Sequence, residues 1–191
     1  MTEAYDHDFK STATVTPFGI FAPELNDLWL YLVTTKVTAD CIVDCIERWW
    51  HSVKEKFRHI ERLVINADNG PENHSRRTQF VNRLTQFAHR EQLTVELAYY
   101  PPYHSKYNAV ERAFGWLEQH WRGSLLDSVE TIEQFARTLQ FKGKAAVVEL
   151  VTDVYENGAR LSQKAMKALE EQWERRKQLG KWFLEIPTSP P

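Results

Sequence analysis

Two carboxylates stand out by what surrounds them. Asp68 follows the apolar run Leu63-Val64-Ile65-Asn66-Ala67 and opens the turn Asp68-Asn69-Gly70. Glu111 comes early in a helical pattern, directly behind Pro101-Pro102-Tyr103-His104-Ser105-Lys106-Tyr107-Asn108. A carboxylate at a strand terminus suits a hard cation, because Mg²⁺ takes one or two protein carboxylates and completes its shell with water and phosphate oxygens. In a two-metal arrangement, ions about 3.5–4 Å apart serve the attacking and leaving oxygens of a phosphodiester. The pair therefore suggests a divalent-metal site that acts on nucleic acid.

The flanking residues extend that reading. His104, Ser105, Lys106 and Asn108 offer donors to phosphate, and the helix that follows turns its positive end toward an anion. Arg112 is placed to hold a phosphate or to pair with Glu111. Arg76 and Arg77, with Arg83 and Arg90 beyond them, form a possible phosphate track, although such a row is more often a solvated helix face. Taken singly, Asp-Asn-Gly is a common turn and Glu111 a first-turn residue that balances the helix dipole. Their order and shared flanking chemistry favour the metal role.

The elements that must carry these residues can be read from periodicity. Phe18-Gly19-Ile20-Phe21 and Leu28 to Val33 read as two antiparallel strands joined by the turn Pro23 to Asp27, the second apolar on both faces. From Thr38 to about Phe57, Cys41, Ile42, Cys45, Ile46, Trp49 and Val53 fall on one helical face, with Thr38 as the cap. Leu63 to Ala67 is a strand. A helix over about residues 73 to 91 shows the stripe Phe80, Val81, Leu84, Phe87 and Ala88. Alternation from Leu93 to Tyr99 gives a further strand, at whose end Pro101 begins. The helix from about Lys106 to Trp121 turns Val110, Ala113, Phe114, Leu117 and Trp121 inward, which leaves Glu111 beside the core stripe. Beyond Gly123 the pattern predicts a helix near Val129 to Leu139, a strand Ala146 to Val151 and a charged helix from Ser162 to Leu179.

This order argues a mixed α/β sheet covered by helices on both sides, with ligands at the carboxyl ends of strands. The expected organisation is an irregular lead-in at 1–16, a core at 17–122, an α-rich extension at 123–185 and a flexible tail at 186–191.

Composition limits the alternatives. At 191 residues and a formal net charge of −2, the chain has no global basic field, so a DNA surface must be a local patch. No apolar run nears the ~20 residues that span a bilayer, and the N-terminus lacks signal-peptide order, so a cytoplasmic protein without a membrane partner is expected. Cys41 and Cys45 are a lone pair and read as buried thiols. Asp6-His7-Asp8 reads as a solvated terminus, and His51, His59, His89 and His120 show no ligand spacing. Trp49, Trp50, Trp116 and Trp121 read mainly as core.

In these motifs the chain resembles the DDE transposases of bacterial insertion sequences, whose catalytic domain is RNase H-like and retroviral-integrase-like. The likeness runs from Tyr5-Asp6-His7-Asp8-Phe9 and Thr16-Pro17-Phe18-Gly19-Ile20, through Ile46-Glu47-Arg48-Trp49-Trp50 and Ile65-Asn66-Ala67-Asp68-Asn69-Gly70, to Pro101 through Arg112. It implies that Asp68 is the second catalytic Asp and Glu111 the final Glu, both binding Mg²⁺ or Mn²⁺. Ser105, Lys106 and Asn108 then fall in the turn near DNA. The partners implied are element-end and target DNA and a further copy of the chain or a full-length transposase.

The family's first catalytic Asp lies on a first strand that no position here matches, so the resemblance implies an N-terminally truncated RNase H-like domain that is inactive alone. That strand is central in the family's sheet. Its loss would remove about five hydrogen bonds at roughly 1 kcal/mol each and several buried side chains at about 1.5–3 kcal/mol apiece. The sum rivals a domain's typical stability of about 5–15 kcal/mol, so a marginal or self-associating chain is expected. The alternatives are a DNA-binding remnant that inhibits transposase and another RNase H-like nuclease.

Overall fold

The structure is a computed structural model that describes residues 14–100, 108–123, 126–175, 180 and 182–188. In chain order its elements are β1 (Thr16–Ala22), β2 (Asp27–Val33), α1 (Ala39–Val53), β3 (Arg62–Ala67), α2 (Thr78–Glu91), β4 (Thr94–Tyr99) and α3 (Ala109–Trp121). There follow α4 (Val129–Arg137), β5 (Gln140–Phe141), β6 (Lys144–Ala145), β7 (Val147–Val151), α5 (Gln163–Glu170), β8 (Glu174–Arg175) and β9 (Phe183–Ile186).

β2 is apolar on both faces because both are covered. Trp29, Tyr31 and Val33 join a core built with α1 and α2, whereas Leu28, Leu30 and Leu32 join a second core with Ala113 and Leu117 of α3 and Ala136 of α4. The period-2 alternation of a strand thus sorts one run into two cores. α1 begins where Thr38 accepts the backbone N–H of Cys41 at 3.3 Å, and its apolar face carries the buried free thiols Cys41 and Cys45. α2 buries Phe80, Val81, Leu84, Phe87 and Ala88, as its stripe predicts. Full burial of each such large side chain contributes about 1.5–3 kcal/mol.

Charges latch these two helices together. Arg83 of α2 donates to Asp40 at 2.9 Å and to Asp44 at 2.5 Å on α1, and Arg90 meets Glu47 at 2.8 Å. Glu91 accepts from the Trp50 indole at 3.0 Å and lies 3.1 Å from His51. Burial works against the ionised form of Glu91, but these hydrogen bonds and Lys54 outweigh it and hold the carboxyl below its usual range.

The strands fall into three small sheets and not into the one mixed sheet that the order of elements argues. β1-β2-β7 form one sheet, β3-β4-β9-β8 another, and β5-β6 a separate hairpin. Among the described residues β1 and β3 each pair along one edge only, and no described strand joins the two sheets. The C-terminal part also departs from an α-rich appendage. β7 pairs parallel to β2, and β9 pairs antiparallel to β4. Ile186, expected to open a tail, is fully buried opposite Val95. The expected helix to Leu179 stops at Glu170, and Trp173 beyond it turns inward to donate to Thr85 at 3.0 Å. These are long-range pairings that leave no local periodicity to read.

Candidate catalytic and nucleic-acid site

β3 and β4 run parallel with Ala67 opposite Tyr99, so their carboxyl ends open on one edge of the sheet. Asp68 directly follows the end of β3, and Tyr100 directly follows the end of β4.

Asp68 is exposed and its carboxylate is oriented by neutral donors. Its Oδ1 accepts from the Gly70 N–H at 3.2 Å and from Asn73 Nδ2 at 2.8 Å. The left-handed residue of this turn is Asn69, at φ 63°. Gly70 matters for space: a Cβ there would stand 3.2 Å from Asn73 Oδ1 and 3.4 Å from Asp68 Oδ1. Asn73 is anchored by the Tyr99 hydroxyl, which donates to its carbonyl at 2.8 Å. Tyr99 and Asn73 are therefore positioning residues that sequence reasoning missed, since nothing local distinguishes them from a strand end and a turn. α2 consequently starts at Thr78 and not near residue 73, because residues 68–77 form this braced loop.

Glu111 is half-buried in the first turn of α3. Asn108 caps the helix by accepting the Val110 N–H at 3.1 Å, so its side-chain oxygen is engaged by the helix. The close approach of α3 to β1 depends on Gly19. A Cβ at that position would stand 2.8 Å from Val110 Cγ1 and 3.2 Å from Phe114 Cζ. The chain neighbours of Glu111 are thereby locked onto the sheet.

The remaining candidates separate by their partners. Arg77 is 13 % exposed and paired with Glu72 at 2.9 Å, so a phosphate could reach it only by breaking that bond. Arg76 is exposed, and its backbone N–H donates to His74 Nδ1 at 3.1 Å. Burial, followed by Arg77 and Arg76, holds the His74 imidazole below its ordinary pKa. Arg112 is exposed on α3. His104, Ser105 and Lys106 lie outside the described residues. Trp116, read from the sequence as core, is 58 % exposed. Its place off the Ala113–Leu117 stripe was the available signal.

A family model described as the Rhodopirellula transposase DDE domain matches residues 1–188. The chain belongs to this DDE transposase family. No curated protein and no solved structure matches it. Membership in the DDE transposase family implies DNA as the general kind of partner and divalent metal as the usual aid to its chemistry. The residues present suit such an ion in kind. Asp68 and Glu111 offer hard oxygens, and among the described residues no cation pairs with either. Asn73 Oδ1 beside Asp68 is buried with no hydrogen-bond partner there, so this loop holds more oxygen than its donors consume. In number they fall short. Among the described residues, no three His, Cys, Asp or Glu side chains group closely enough to hold a metal ion. None of the described helices is long and apolar enough to cross a membrane.

Proposed function

We propose that this chain is the catalytic-domain portion of a DDE transposase, with Asp68 and Glu111 as two of the carboxylates that hold Mg²⁺ or Mn²⁺ at a DNA phosphodiester. The observation that carries this reading is the parallel register of β3 with β4 within a chain of this family. Asp68 follows the end of β3, which lies parallel to the end of β4, the strand from which the chain runs on toward Glu111, and this supports the reading. A bound divalent ion would supply charge neutralisation at the phosphate and a more acidic attacking hydroxyl. The chain's own residues orient the groups around it. Gly70 and Asn73 fix one oxygen of Asp68, Asn108 starts the helix of Glu111, and Gly19 seats that helix on β1.

The complete reaction is hydrolysis of a phosphodiester followed by attack of the freed 3′ hydroxyl on target DNA. Among the described residues no third His, Cys, Asp or Glu groups closely enough with two others to complete a metal set, so the chain alone is expected to leave DNA uncut. Incubation of supercoiled plasmid with pure protein and Mg²⁺ should give no nicking. Robust nicking that Asp68→Ala abolishes would overturn the incompleteness of the site. Robust nicking that survives Asp68→Ala and Glu111→Ala would overturn the assignment of both residues.

A further inference from the structure

Among the described residues one large aromatic side chain is left uncovered. Trp116 stands on α3 away from Ala113 and Leu117, which fill the core beneath the helix. A groove of about 470 Å³ extends from Arg112 and Trp116 across to Gln140, Phe141 and Lys142 on the β5-β6 hairpin.

The far wall of this groove is pinned in place. Asn26 Nδ2 donates to the Lys142 carbonyl at 3.4 Å, and Lys144 Nζ reaches the Leu25 carbonyl at 2.6 Å and Asp27 at 2.9 Å. Phe141 packs edge-on against Phe21 with ring centroids 5.5 Å apart. Lys142 Nζ lies 4.5 Å above the Phe21 ring. Neither Lys142 nor Arg112 meets a carboxylate among the described residues, whereas neighbouring Lys144 is matched to Asp27.

An exposed indole, two cations left without carboxylates and one side-chain amide form a surface suited to a nucleotide. Bases stack on aromatic side chains, and cations take the adjoining phosphates. An acidic peptide would use the cations and leave the indole idle. An apolar protein patch would use the indole and bury two unpaired charges, which is costly.

We propose that the groove between α3 and the β5-β6 hairpin binds an unpaired stretch of a DNA strand, with a base stacked on Trp116 and its flanking phosphates held by Arg112 and Lys142. A paired base hides its face within the duplex, so the ligand is a single strand or a displaced one. The inference rests on the transposase reading for its substrate class. Arg112 directly follows Glu111, so the bound strand would lie beside the carboxylate.

The test measures binding of fluorescein-labelled oligothymidylate, an abasic strand of equal length and a duplex, with wild type and variants whose circular dichroism shows the same fold. Wild type should prefer oligothymidylate to the abasic strand. Trp116→Ala should weaken oligothymidylate about tenfold while leaving the abasic strand nearly unchanged, and Trp116→Phe should restore most of the loss. Lys142→Ala and Arg112→Ala should weaken both strands and each lower the salt slope by about 0.7. If wild type binds duplex while Trp116→Ala binds oligothymidylate as wild type does, the groove assignment is overturned and the DNA reading stands. If wild type binds no DNA of any form, both fail. If Trp116→Ala abolishes self-association in sedimentation with DNA affinity unchanged, the surface is a contact between copies and the nucleotide assignment is overturned.

Discussion

α2 and α3 each carry arginines and each lie against a neighbour, but they are held in opposite ways. On α2, Arg83 and Arg90 are matched to Asp40, Asp44 and Glu47 across the α1 interface. α3 is seated by shape instead, with Val110 and Phe114 pressed into the space that Gly19 leaves on β1. Its Arg112 meets no carboxylate among the described residues. The same residue type is thus a latch in one helix and a free cation in the other, and the acids opposite decide which. A row of arginines read from sequence alone cannot reveal that difference.

The seating of α3 by shape is most sensitive at Gly19. Gly19→Ala should cost about 1–3 kcal/mol, because the new Cβ meets two side chains of a packed helix. Chemical denaturation should show that loss, and because α3 carries Glu111, divalent-metal binding should weaken with it. Arg83→Ala should cost about 1–2 kcal/mol, between the value of an exposed ion pair and that of a buried one, since the guanidinium is 23 % exposed. Its DNA affinity should be unchanged, whereas Arg112→Ala should do the reverse. Equal effects of Arg83→Ala and Arg112→Ala on DNA binding would erase the distinction between the helices.

The smallest effect is expected from pH at the loop after Asp68. The folded pKa of His74 lies below its ordinary value of 6.5, chiefly through burial. Its neutral form is favoured in the fold, so its contribution to stability is full above about pH 6.5 and is lost as pH falls through the lower folded value. Protonation also removes the Nδ1 acceptor that holds the Arg76 N–H at 3.1 Å. Amide exchange at Arg76 should quicken below about pH 6.5 in wild type more than in His74→Asn.

Much of the frame was legible because its signals are local. The Thr38 cap, the α2 stripe from Phe80 to Ala88 and the doubly apolar β2 follow from periodicity and side-chain chemistry alone. Asp68 at a strand end and Glu111 in a first helical turn were legible for the same reason. The division into two sheets was not, since it depends on what lies beside β1 and β3. Nor was the insertion of β7 and β9, because a strand's partner is set by tertiary packing. Around the site, the sequence named Asp68 but not the Tyr99–Asn73 brace that holds its loop. It named Arg112 but not Trp116 or Lys142, which only the fold brings to the same groove.

Among the described residues β1 and β3 each leave one edge unpaired, a second contrast with the densely latched α1–α2 layer. Unpaired strand edges are templates for association, so the chain should self-associate through them before that layer unfolds. Exchange protection should accordingly be higher at Leu84 and Phe87 than at Ile20 and Ile65.

In the proposed function Asp68 and Glu111 serve one divalent ion. The most direct measurement is Mn²⁺ binding by electron paramagnetic resonance in the presence of a DNA duplex, for wild type, Asp68→Asn and Glu111→Gln. Wild type should show a bound-Mn²⁺ population that either single substitution reduces at least tenfold, with the double variant no worse than the more severe single one. Binding that persists in both variants, or that the substitutions weaken independently, would contradict it.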